Sequence, residues 1–360
     1  MDLTVIALFV IGLVLLVAGA EFLVRGAARL AARLGITPLV IGLTVVAFGT
    51  SAPELAVSVQ AGLAGQSDIA VGNVVGSNIV NVLLILGISA LIVPLVVSQQ
   101  LVRIDVPLLI GASVLFLITA LDGHIGLFDG ILLFAGIVGY ILFALRMSRR
   151  ESAAIEDEYA QEFGDAGAGK ISAALPVQIA LIVAGLAMLV LGSHWLVGGA
   201  VAFARHFGVS ELIIGLTIVA VGTSLPELAT SVVAALRGER DIAVGNVVGS
   251  GIFNILAIAG IAAMVTPGGL AVAPALIRFD IPVMIAAAFA CLPVFASGHL
   301  IPRWQGTLFI AFYAAYVTYL VLDATGHAML PAFSAAMLGF VLPLAAVTLI
   351  VVLVRQRASR

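Results

Sequence analysis

Two short motifs place carboxylates, hydroxyls and a proline inside long apolar stretches. The first is GTSAPE, Gly49 to Glu54, and the second is GTSLPE, Gly222 to Glu227. A carboxylate at the centre of a membrane helix costs about 3 kcal/mol on insertion scales, so it marks a functional site by default. No basic residue lies near the middle of these apolar stretches to neutralise either glutamate. The missing positive charge must therefore come from a proton or a bound cation.

The polar residues around each glutamate share one face of a helix. Counted from the first alanine, they fall at i, i+3, i+4, i+7 and i+11. The two sets are Ala47, Thr50, Ser51, Glu54 and Ser58, and Ala220, Thr223, Ser224, Glu227 and Ser231. Pro53 and Pro226 each remove a backbone donor and push a turn apart, so we expect nearby carbonyl groups to be free to face a ligand.

A second polar face follows each motif at four-residue steps. It consists of Asn73, Ser77 and Asn81 in the first copy, and of Asn246, Ser250 and Asn254 in the second. Serine in a membrane helix commonly bonds back to its own helix, and asparagine commonly joins helices. We therefore expect structural roles for Ser58, Ser231, Asn73 and Asn246.

The chemistry of these faces indicates which ion would fit. Carboxylate, hydroxyl, amide and carbonyl oxygens form a hard ligand set, and none of the five histidines belongs to it. The single cysteine, Cys291, excludes a multi-cysteine metal site within the chain. This set favours Ca²⁺ and Na⁺ over zinc or copper. Mg²⁺ fits less well because it needs a smaller octahedron and resists dehydration.

The composition predicts an all-α polytopic membrane protein. Of the 360 residues, 62% are hydrophobic and 10% are charged, with a mean hydropathy of +1.26, which excludes an ordinary water-soluble protein. Apolar runs of this length are expected to be helices, because an open sheet cannot satisfy its backbone in lipid. The runs predict eleven spans. They lie near residues 3–23, 36–63, 70–95, 104–121, 127–146, 172–200, 208–236, 243–265, 279–297, 304–322 and 330–354.

The chain contains an internal duplication. Residues 42–87 align without a gap to residues 215–260, and 32 of the 46 positions are identical. Each half has five predicted spans, and an odd number makes the two copies enter the membrane from opposite sides, as in many secondary transporters. We divide the chain into a first five-helix repeat at 1–148, a cytoplasmic linker at 149–171, a second, inverted five-helix repeat at 172–323, and an extra transmembrane helix with a basic tail at 324–360.

The basic residues predict the orientation. With eleven alternating spans, all 16 lysines and arginines except Arg205 and Arg278 fall on one side, which the positive-inside rule places in the cytoplasm. The N-terminus is then outside and the C-terminus inside, and the first span is a retained span rather than a signal peptide. The use of Arg over Lys, 15 to 1, indicates a prokaryote. We expect a multi-pass protein of the plasma membrane, in a bacterial inner membrane.

The remaining acidic residues inside or beside the spans suggest structural roles. Asp68 and Asp241 each open the sequence DIAVGN, where an N-cap is the usual role of aspartate. Asp105 and Asp280, each two residues before a proline, suggest the same role. Glu21 is expected to pair with the arginine four residues later on its helix.

The extended motifs resemble a known family. GLTVVAFGTSAPELAVS followed by DIAVGNVVGSNIVN, and GLTIVAVGTSLPELATS followed by DIAVGNVVGSGIFN, resemble the two alpha repeats of the sodium/calcium exchangers in the cation/Ca²⁺ exchanger superfamily. The resemblance covers about residues 1–323 and leaves the eleventh span unexplained. It implies a ten-helix core with one Ca²⁺ site and several Na⁺ sites at its centre, used alternately from the two sides.

The resemblance also implies roles by motif position. Glu54 and Glu227 would be the carboxylates shared by Ca²⁺ and Na⁺. The other implied ligands are the hydroxyls or carbonyls of Thr50, Ser51, Thr223 and Ser224, the backbone carbonyls of Ala47 and Ala220, and the side chains of Ser77, Asn81, Ser250 and Asn254. Many exchangers carry an aspartate in one of the slots held here by Asn81 and Asn254. Both slots are amides in this chain, which disfavours potassium dependence and leaves the ion count open.

These observations predict a secondary active Na⁺/Ca²⁺ antiporter that works by alternating access at a midplane carboxylate site. The alternative is an H⁺-coupled Ca²⁺ antiporter, because a proton also neutralises a carboxylate. An intramembrane hydrolase using Ser51 or Ser224 is less favoured, because no Ser-His pairing or nucleophile elbow accompanies them, and a closed, charge-requiring cluster disfavours a channel. We expect no enzymatic activity, no cofactor, no nucleic-acid partner, and Ca²⁺, Na⁺ and the lipid bilayer as partners. A monomer should suffice for transport.

Overall fold

A computed structural model describes residues 3–163, 175–296, 298–345 and 347–348. The described part of the first repeat is almost entirely helical, because its long apolar runs leave helix as the way to pair the backbone in a membrane. Its α-helices are α1 Leu3–Leu34, α2 Pro38–Ile41, α3 Ala47–Thr50, α4 Ala52–Leu63, α5 Ser67–Ile79, α6 Leu86–Ile92, α7 Val106–Ala120 and α8 Leu127–Phe163.

The second half follows the same order of elements. Its α-helices are α9 Leu175–His206, α10 Glu211–Ile214, α11 Ala220–Gly222, α12 Leu225–Leu236, α13 Arg240–Phe253, α14 Ala259–Val265, α15 Ile281–Ala296, α16 Arg303–Ala324 and α17 Leu330–Ala336. Short π-helical turns interrupt both halves at Gly42–Val46, Val80–Ile85, Leu101–Asp105, Gly215–Val219, Asn254–Ile258 and Leu276–Asp280, and another lies at Met337–Val341.

Among the described residues, eight helices are long and apolar enough to cross a membrane. The bent pair Pro38–Thr50 and Ala52–Leu63, with 46° between its parts, adds a ninth. Two shorter apolar helices, Leu225–Leu236 and Leu330–Ala345, fall where the seventh and eleventh spans were predicted. The protein is thus an all-helical, multi-pass membrane protein, and the count of eleven spans stays a prediction.

The predicted linker at 149–171 begins inside a helix. α8 continues past the membrane-length segment to Phe163, so the first part of the linker is helical. Residues 164–171 of the linker lie outside the described residues, as do residues 349–360, which hold the predicted end of the eleventh span and the basic tail.

Two small strand pairs connect the halves. β1 Leu95–Val96 pairs antiparallel with β4 Leu300–Ile301, and β2 His124–Ile125 pairs antiparallel with β3 Leu270–Ala271. β1 and β3 occupy equivalent places in the two repeats, as do β2 and β4. Each pairing therefore joins loops that the predicted topology places on the same side of the membrane.

Glycines bring α1 and α9, the first helices of the two repeats, into close antiparallel contact. A Cβ atom placed on Gly12 would lie 2.8 Å from the carbonyl oxygen of Gly192, and one on Gly19 would lie 2.8 Å from that of Gly185. Residue numbers rise along α1 while those of the partners fall along α9, so the two helices run in opposite directions. Small residues at such contacts let membrane helices pack by direct backbone approach.

The structure corrects the predicted N-caps at Asp68 and Asp241. The residues preceding α5 and α13 are Gln66 and Glu239, neither of which makes a side-chain cap bond. Both aspartates lie instead in the first turn of the helix, where a negative charge still favours the positive end of the helix dipole.

The predicted capping bond of Asp105 is not made: Asp105 stands at the N-cap position of α7, but its side chain makes no cap hydrogen bond there. Asp105 and Asp280 each end a π-helical turn, and the capping role of Asp280 stays a prediction. The Tyr140 hydroxyl donates to Asp105 Oδ1 at 3.0 Å, and the Tyr316 hydroxyl donates to Asp280 Oδ1 at 2.8 Å. The two equivalent aspartates therefore join neighbouring helices, because each carboxylate finds its donor on the helix that follows its own.

Candidate cation site

The two glutamate motifs form interrupted helices. Ser51 separates α3 from α4 with φ −82° and ψ 8°, and Ser224 separates α11 from α12 with φ −88° and ψ 9°. Both serines leave the regular helical region, and the prolines two residues later take early positions in the next helix, where a missing N–H costs little. The sequence thus breaks each helix at the motif, and each glutamate sits in the first turn after the break.

Each glutamate is hydrogen-bonded by the serine of the other repeat. Ser51 Oγ lies 2.9 Å from Glu227 Oε1, and Ser224 Oγ lies 3.0 Å from Glu54 Oε1. Both carboxylates are 0% exposed. A single site therefore draws its charge and its hydroxyls from both halves of the chain, and the predicted convergence of these four residues is observed.

Several predicted ligands carry buried polar atoms that have no hydrogen-bond partner among the described residues. These atoms occur in equivalent places in the two repeats. They are Oε2 of Glu54 and Glu227, Oγ of Ser77 and Ser250, and both amide atoms of Asn81 and Asn254. Buried polar groups are nearly always paired, so the oxygens of this symmetric set fit a cation that supplies their missing interactions; the two amide nitrogens are donors and would not bind it.

The asparagines of this set lie in or beside π-helical turns. Asn81 lies within the turn Val80–Ile85, and Asn254 begins the turn Asn254–Ile258. Such turns carry an extra residue and commonly occur at functional sites. The sequence gives no periodic signal for them, because one inserted residue hardly changes the pattern of a helix that is apolar on nearly every side.

Asn73 and Asn246 brace the broken helices, as their predicted structural role requires. Asn73 Nδ2 donates to the Glu54 carbonyl at 3.0 Å and to Ser58 Oγ at 2.9 Å. In the second repeat, Asn246 Nδ2 lies 3.3 Å from the Glu227 carbonyl and 3.0 Å from Ser231 Oγ. The two asparagines also contact threonines of the opposite repeat, which the sequence did not predict.

Some of the carbonyls expected to face a ligand are occupied. The Ala47 carbonyl accepts the Ser51 N–H at 3.0 Å, whereas the equivalent Ser224 N–H bonds to Val221 at 3.1 Å. Pro226 has no N–H to donate to the Gly222 carbonyl. That carbonyl accepts a hydrogen bond from the Ser193 hydroxyl at 2.7 Å instead. The Thr50 hydroxyl also lies 3.3 Å from the Ala47 oxygen, so both lone pairs of that oxygen have a described donor nearby.

The two halves of the site differ in burial. Ala47 is 0% and Thr50 is 1% exposed, whereas the equivalent Ala220 is exposed and Thr223 is half-buried. α2 and the π-helical turn after it pack along α13, while α10 and its turn make little contact with α5 in the described part of the chain. One side of the site is therefore closed by packing and the other is more open.

Two carboxylates supply the charge of this cluster. No group of three or more His, Cys, Asp or Glu residues that could hold a metal occurs among the described residues. Within that part of the chain, the cluster brings two carboxylates together with the hydroxyl groups of two serines. A fold of packed membrane helices around such a site defines a multi-pass membrane protein of the cation-transporter class.

Comparison with known proteins identifies the family. The model of the sodium/calcium exchanger protein family matches residues 4–146 and 177–322. The chain is 34% identical over 342 residues to the sodium/calcium exchanger MaX1 of Methanosarcina acetivorans, covering 87% of this chain and 97% of that one. It is 38% identical over 286 residues to the inner membrane protein YrbG of Escherichia coli, covering 79% and 87%.

A solved structure agrees with these matches. The chain is similar to the sodium-calcium exchanger NCX_Mj, in a structure soaked with Na⁺ and Ca²⁺, with a TM-score of 0.74 at 29% identity, covering 88% of this chain and 99% of that one. The chain belongs to the sodium/calcium exchanger protein family, whose members are membrane transporters rather than enzymes.

Proposed function

We propose that the chain is a secondary active antiporter that exchanges Na⁺ for Ca²⁺. The observation that carries the proposal is the pair of fully buried carboxylates, each held at Oε1 by the serine of the other repeat and each lacking a described partner at Oε2. Two negative charges match one Ca²⁺ or a set of Na⁺ ions. The ligands we propose are the twelve residues named from the sequence.

Charge neutralisation explains exchange without leak. Two buried carboxylates without a cation would be strongly unfavourable, because removing them from water costs several kcal/mol each. Either one Ca²⁺ or several Na⁺ ions can neutralise Glu54 and Glu227, and only the neutralised core would switch sides. If three Na⁺ trade for one Ca²⁺, as in the resemblance, one net charge crosses per cycle, which is worth about 2.3 kcal/mol per 100 mV.

The antiparallel contact of α1 with α9 supports an inverted arrangement of the repeats around the site. The unequal burial of Ala47 and Ala220 supports alternating access, since two nearly identical motifs adopt one closed and one open arrangement. With the N-terminus outside, the closed side would be cytoplasmic and the open side external. α1 and α9, which pack tightly on each other, are the proposed moving pair.

The proposed location is a bacterial inner membrane, with the C-terminus in the cytoplasm. The relative of known location is an inner membrane protein by its name, and the distribution of arginines supports the orientation. Because all proposed ligands belong to one chain, a monomer would suffice for transport.

The test is Ca²⁺ uptake into proteoliposomes under an imposed Na⁺ gradient, with a pH gradient as a separate arm. Glu54→Gln and Glu227→Gln should each abolish uptake. Asp129→Asn serves as the matched control, because its carboxylate accepts from the Gly126 N–H at the start of α8 and is not among the proposed ligands. Ca²⁺ uptake that follows the pH gradient and ignores Na⁺ would reject sodium coupling in favour of proton coupling. Unchanged uptake in both glutamate variants would reject the assignment of Glu54 and Glu227 as ligands.

A further inference from the structure

Two asparagines outside the proposed ligand set connect the two repeats. Asn246 Oδ1 accepts from the Thr50 hydroxyl at 3.1 Å, and Asn73 Oδ1 faces the Thr223 hydroxyl at 3.5 Å. Each asparagine uses its amide nitrogen to hold the glutamate-bearing helix of its own repeat. Each asparagine side chain thus links a threonine of one repeat to the glutamate-bearing helix of the other repeat.

These two contacts, here called the Thr50–Asn246 tether and the Thr223–Asn73 tether, are not equally formed. The first has a normal hydrogen-bond length and joins two buried side chains, and the single Thr50 hydroxyl proton is shared among Asn246 Oδ1 and the carbonyls of Val46 at 3.1 Å and Ala47 at 3.3 Å. The second lies at the outer limit of hydrogen-bond distance, between two half-buried side chains. Since the tether residues are of the same types in both copies, the difference arises from what surrounds them.

The formed tether lies on the closed side of the site. A Cβ atom placed on Gly249 would lie 2.7 Å from the Leu43 backbone and 2.9 Å from the Ala47 Cβ, so α13 packs directly on the helix segment that carries Thr50. No described atom lies within 4 Å of a Cβ placed on the equivalent Gly76. Formation of a tether and closure of its side therefore occur together.

We infer that Asn73 and Asn246 are positioning residues whose tethers close the two sides of the site in alternation. The Thr50–Asn246 tether holds the observed state, and the Thr223–Asn73 tether shortens to hold the opposite state. Neither asparagine needs to touch the transported ion. The inference deepens the proposed function, since it uses alternating access, but it does not depend on which ion drives exchange.

A purely structural role makes a different prediction. If each asparagine only braced its own repeat, loss of either one would destabilise the protein in the same way. Alternating tethers require mirror-related substitutions to move the equilibrium between states in opposite directions. This difference in sign separates the two roles.

The experiment measures exposure of the two sides in ion-free buffer with a thiol reagent, in a Cys291→Ala background. Ala220→Cys reports the side that is open here, and Ala47→Cys, in a separate protein, reports the closed side. The ratio is the labelling rate of Ala220→Cys divided by that of Ala47→Cys, and it follows the equilibrium between the observed state and the opposite state. Loss of one neutral hydrogen bond changes an equilibrium by about fivefold, so Asn246→Ala should lower the ratio about fivefold and Asn73→Ala should raise it by a similar factor.

Two further pairs isolate the tether from the brace. Thr50→Val removes the tether hydroxyl but leaves the bonds of Asn246 to Ser231 and Glu227, so it should reproduce the Asn246→Ala shift. Thr223→Val should likewise reproduce Asn73→Ala. Thr318→Val is the matched control for the two threonine variants, because the exposed Thr318 hydroxyl donates to the Ala314 carbonyl of its own helix at 2.7 Å. It should leave the ratio unchanged.

Shifts of the same sign in Asn73→Ala and Asn246→Ala, or an unchanged ratio with a lower melting temperature in both, would overturn the inference. The labelling uses no ion gradient, so its outcome does not depend on whether Na⁺ or H⁺ drives Ca²⁺ transport. Opposite shifts together with Ca²⁺ uptake that ignores Na⁺ would keep the tethers and reject only the sodium antiporter.

Discussion

The Ser51 hydroxyl reaches across the repeats to Glu227 Oε1 at 2.9 Å, and the equivalent Ser224 hydroxyl reaches Glu54 Oε1 at 3.0 Å. Each repeat therefore contains a glutamate whose Oε1 accepts a hydrogen bond from the other repeat. Hydrogen bonds to charged groups are about twice as strong as neutral ones, so this exchange of donors joins the two halves where their negative charges meet.

The exchanged donors predict a specific pattern of coupling. Ser51→Ala should weaken Ca²⁺ binding and lower the free energy of unfolding by about 1.5–3 kcal/mol, because a buried carboxylate loses a charge-assisted bond. In double-mutant cycles of thermal unfolding, Ser51→Ala should couple strongly to Glu227→Gln and weakly to Glu54→Gln. Equal coupling to both glutamates would show that the serine acts on the site as a whole.

The helices, the duplication and the polar faces could be predicted from the sequence. Long apolar runs leave few alternatives to helices, and a carboxylate repeated in a duplicated apolar segment is too costly to be incidental. The pairing of Asp105 with Tyr140 could not be predicted, because the two residues are 35 positions apart and no periodicity relates them.

The unequal burial of the two halves of the site could not be predicted from the sequence either. Ala47 and Ala220 occupy the same place in nearly identical motifs, yet one is fully buried and the other exposed. Burial at these positions depends on the packing of neighbouring helices: α2 and its π-helical turn pack along α13, whereas α10 makes little contact with α5 in the described part of the chain. Sequence places the two motifs in equivalent positions, and tertiary packing decides how deeply each is covered.

The glycine contacts between α1 and α9 predict a strong sensitivity to one methyl group. Gly19→Ala should destabilise the protein by about 1–3 kcal/mol, because its Cβ would lie 2.8 Å from the Gly185 carbonyl oxygen and 2.9 Å from the Leu189 nitrogen. Thermal unfolding in detergent measures the loss. Gly198→Ala is the matched control, since no described atom lies within 4 Å of its Cβ and alanine favours a helix by up to about 1 kcal/mol. Equal effects of both changes would argue against tight packing at Gly19.

The two aspartate–tyrosine bridges predict unequal costs. Tyr140→Phe leaves Asp105, which is 0% exposed, without the donor to its Oδ1 and should cost about 1–3 kcal/mol of unfolding free energy. Tyr316→Phe should cost less, because Asp280 is only half-buried and water can replace the lost donor. Thermal unfolding of the two variants gives the order directly. The prediction fails if Tyr316→Phe is the more damaging change.

The ion pair between Glu21 and Arg237 joins α1 of the first repeat to the end of α12 of the second. Arg237 Nε lies 2.8 Å and Nη2 2.6 Å from the two carboxylate oxygens of Glu21, which also pairs with Arg25 on its own helix, as predicted. The equivalent positions in the other half are His194 and Ala64. The contact therefore favours the arrangement in which α1 lies against α12. The equivalent pair, α9 and α4, does not make a comparable contact in the described part of the chain.

Arg237→Gln should lower the free energy of unfolding by less than about 1 kcal/mol, because the arginine is half exposed and solvent screens the pair. The effect should shrink further in concentrated choline chloride, which screens charge without supplying Na⁺ to the cation site. Arg25→Gln is the matched control: it removes an arginine from the same carboxylate but cuts no link between helices. A double-mutant cycle of thermal unfolding should therefore couple Glu21→Gln to Arg237→Gln, and the coupling should vanish at high salt. Coupling that persists at high salt would show that the pair acts through packing of the arginine stem instead of through charge.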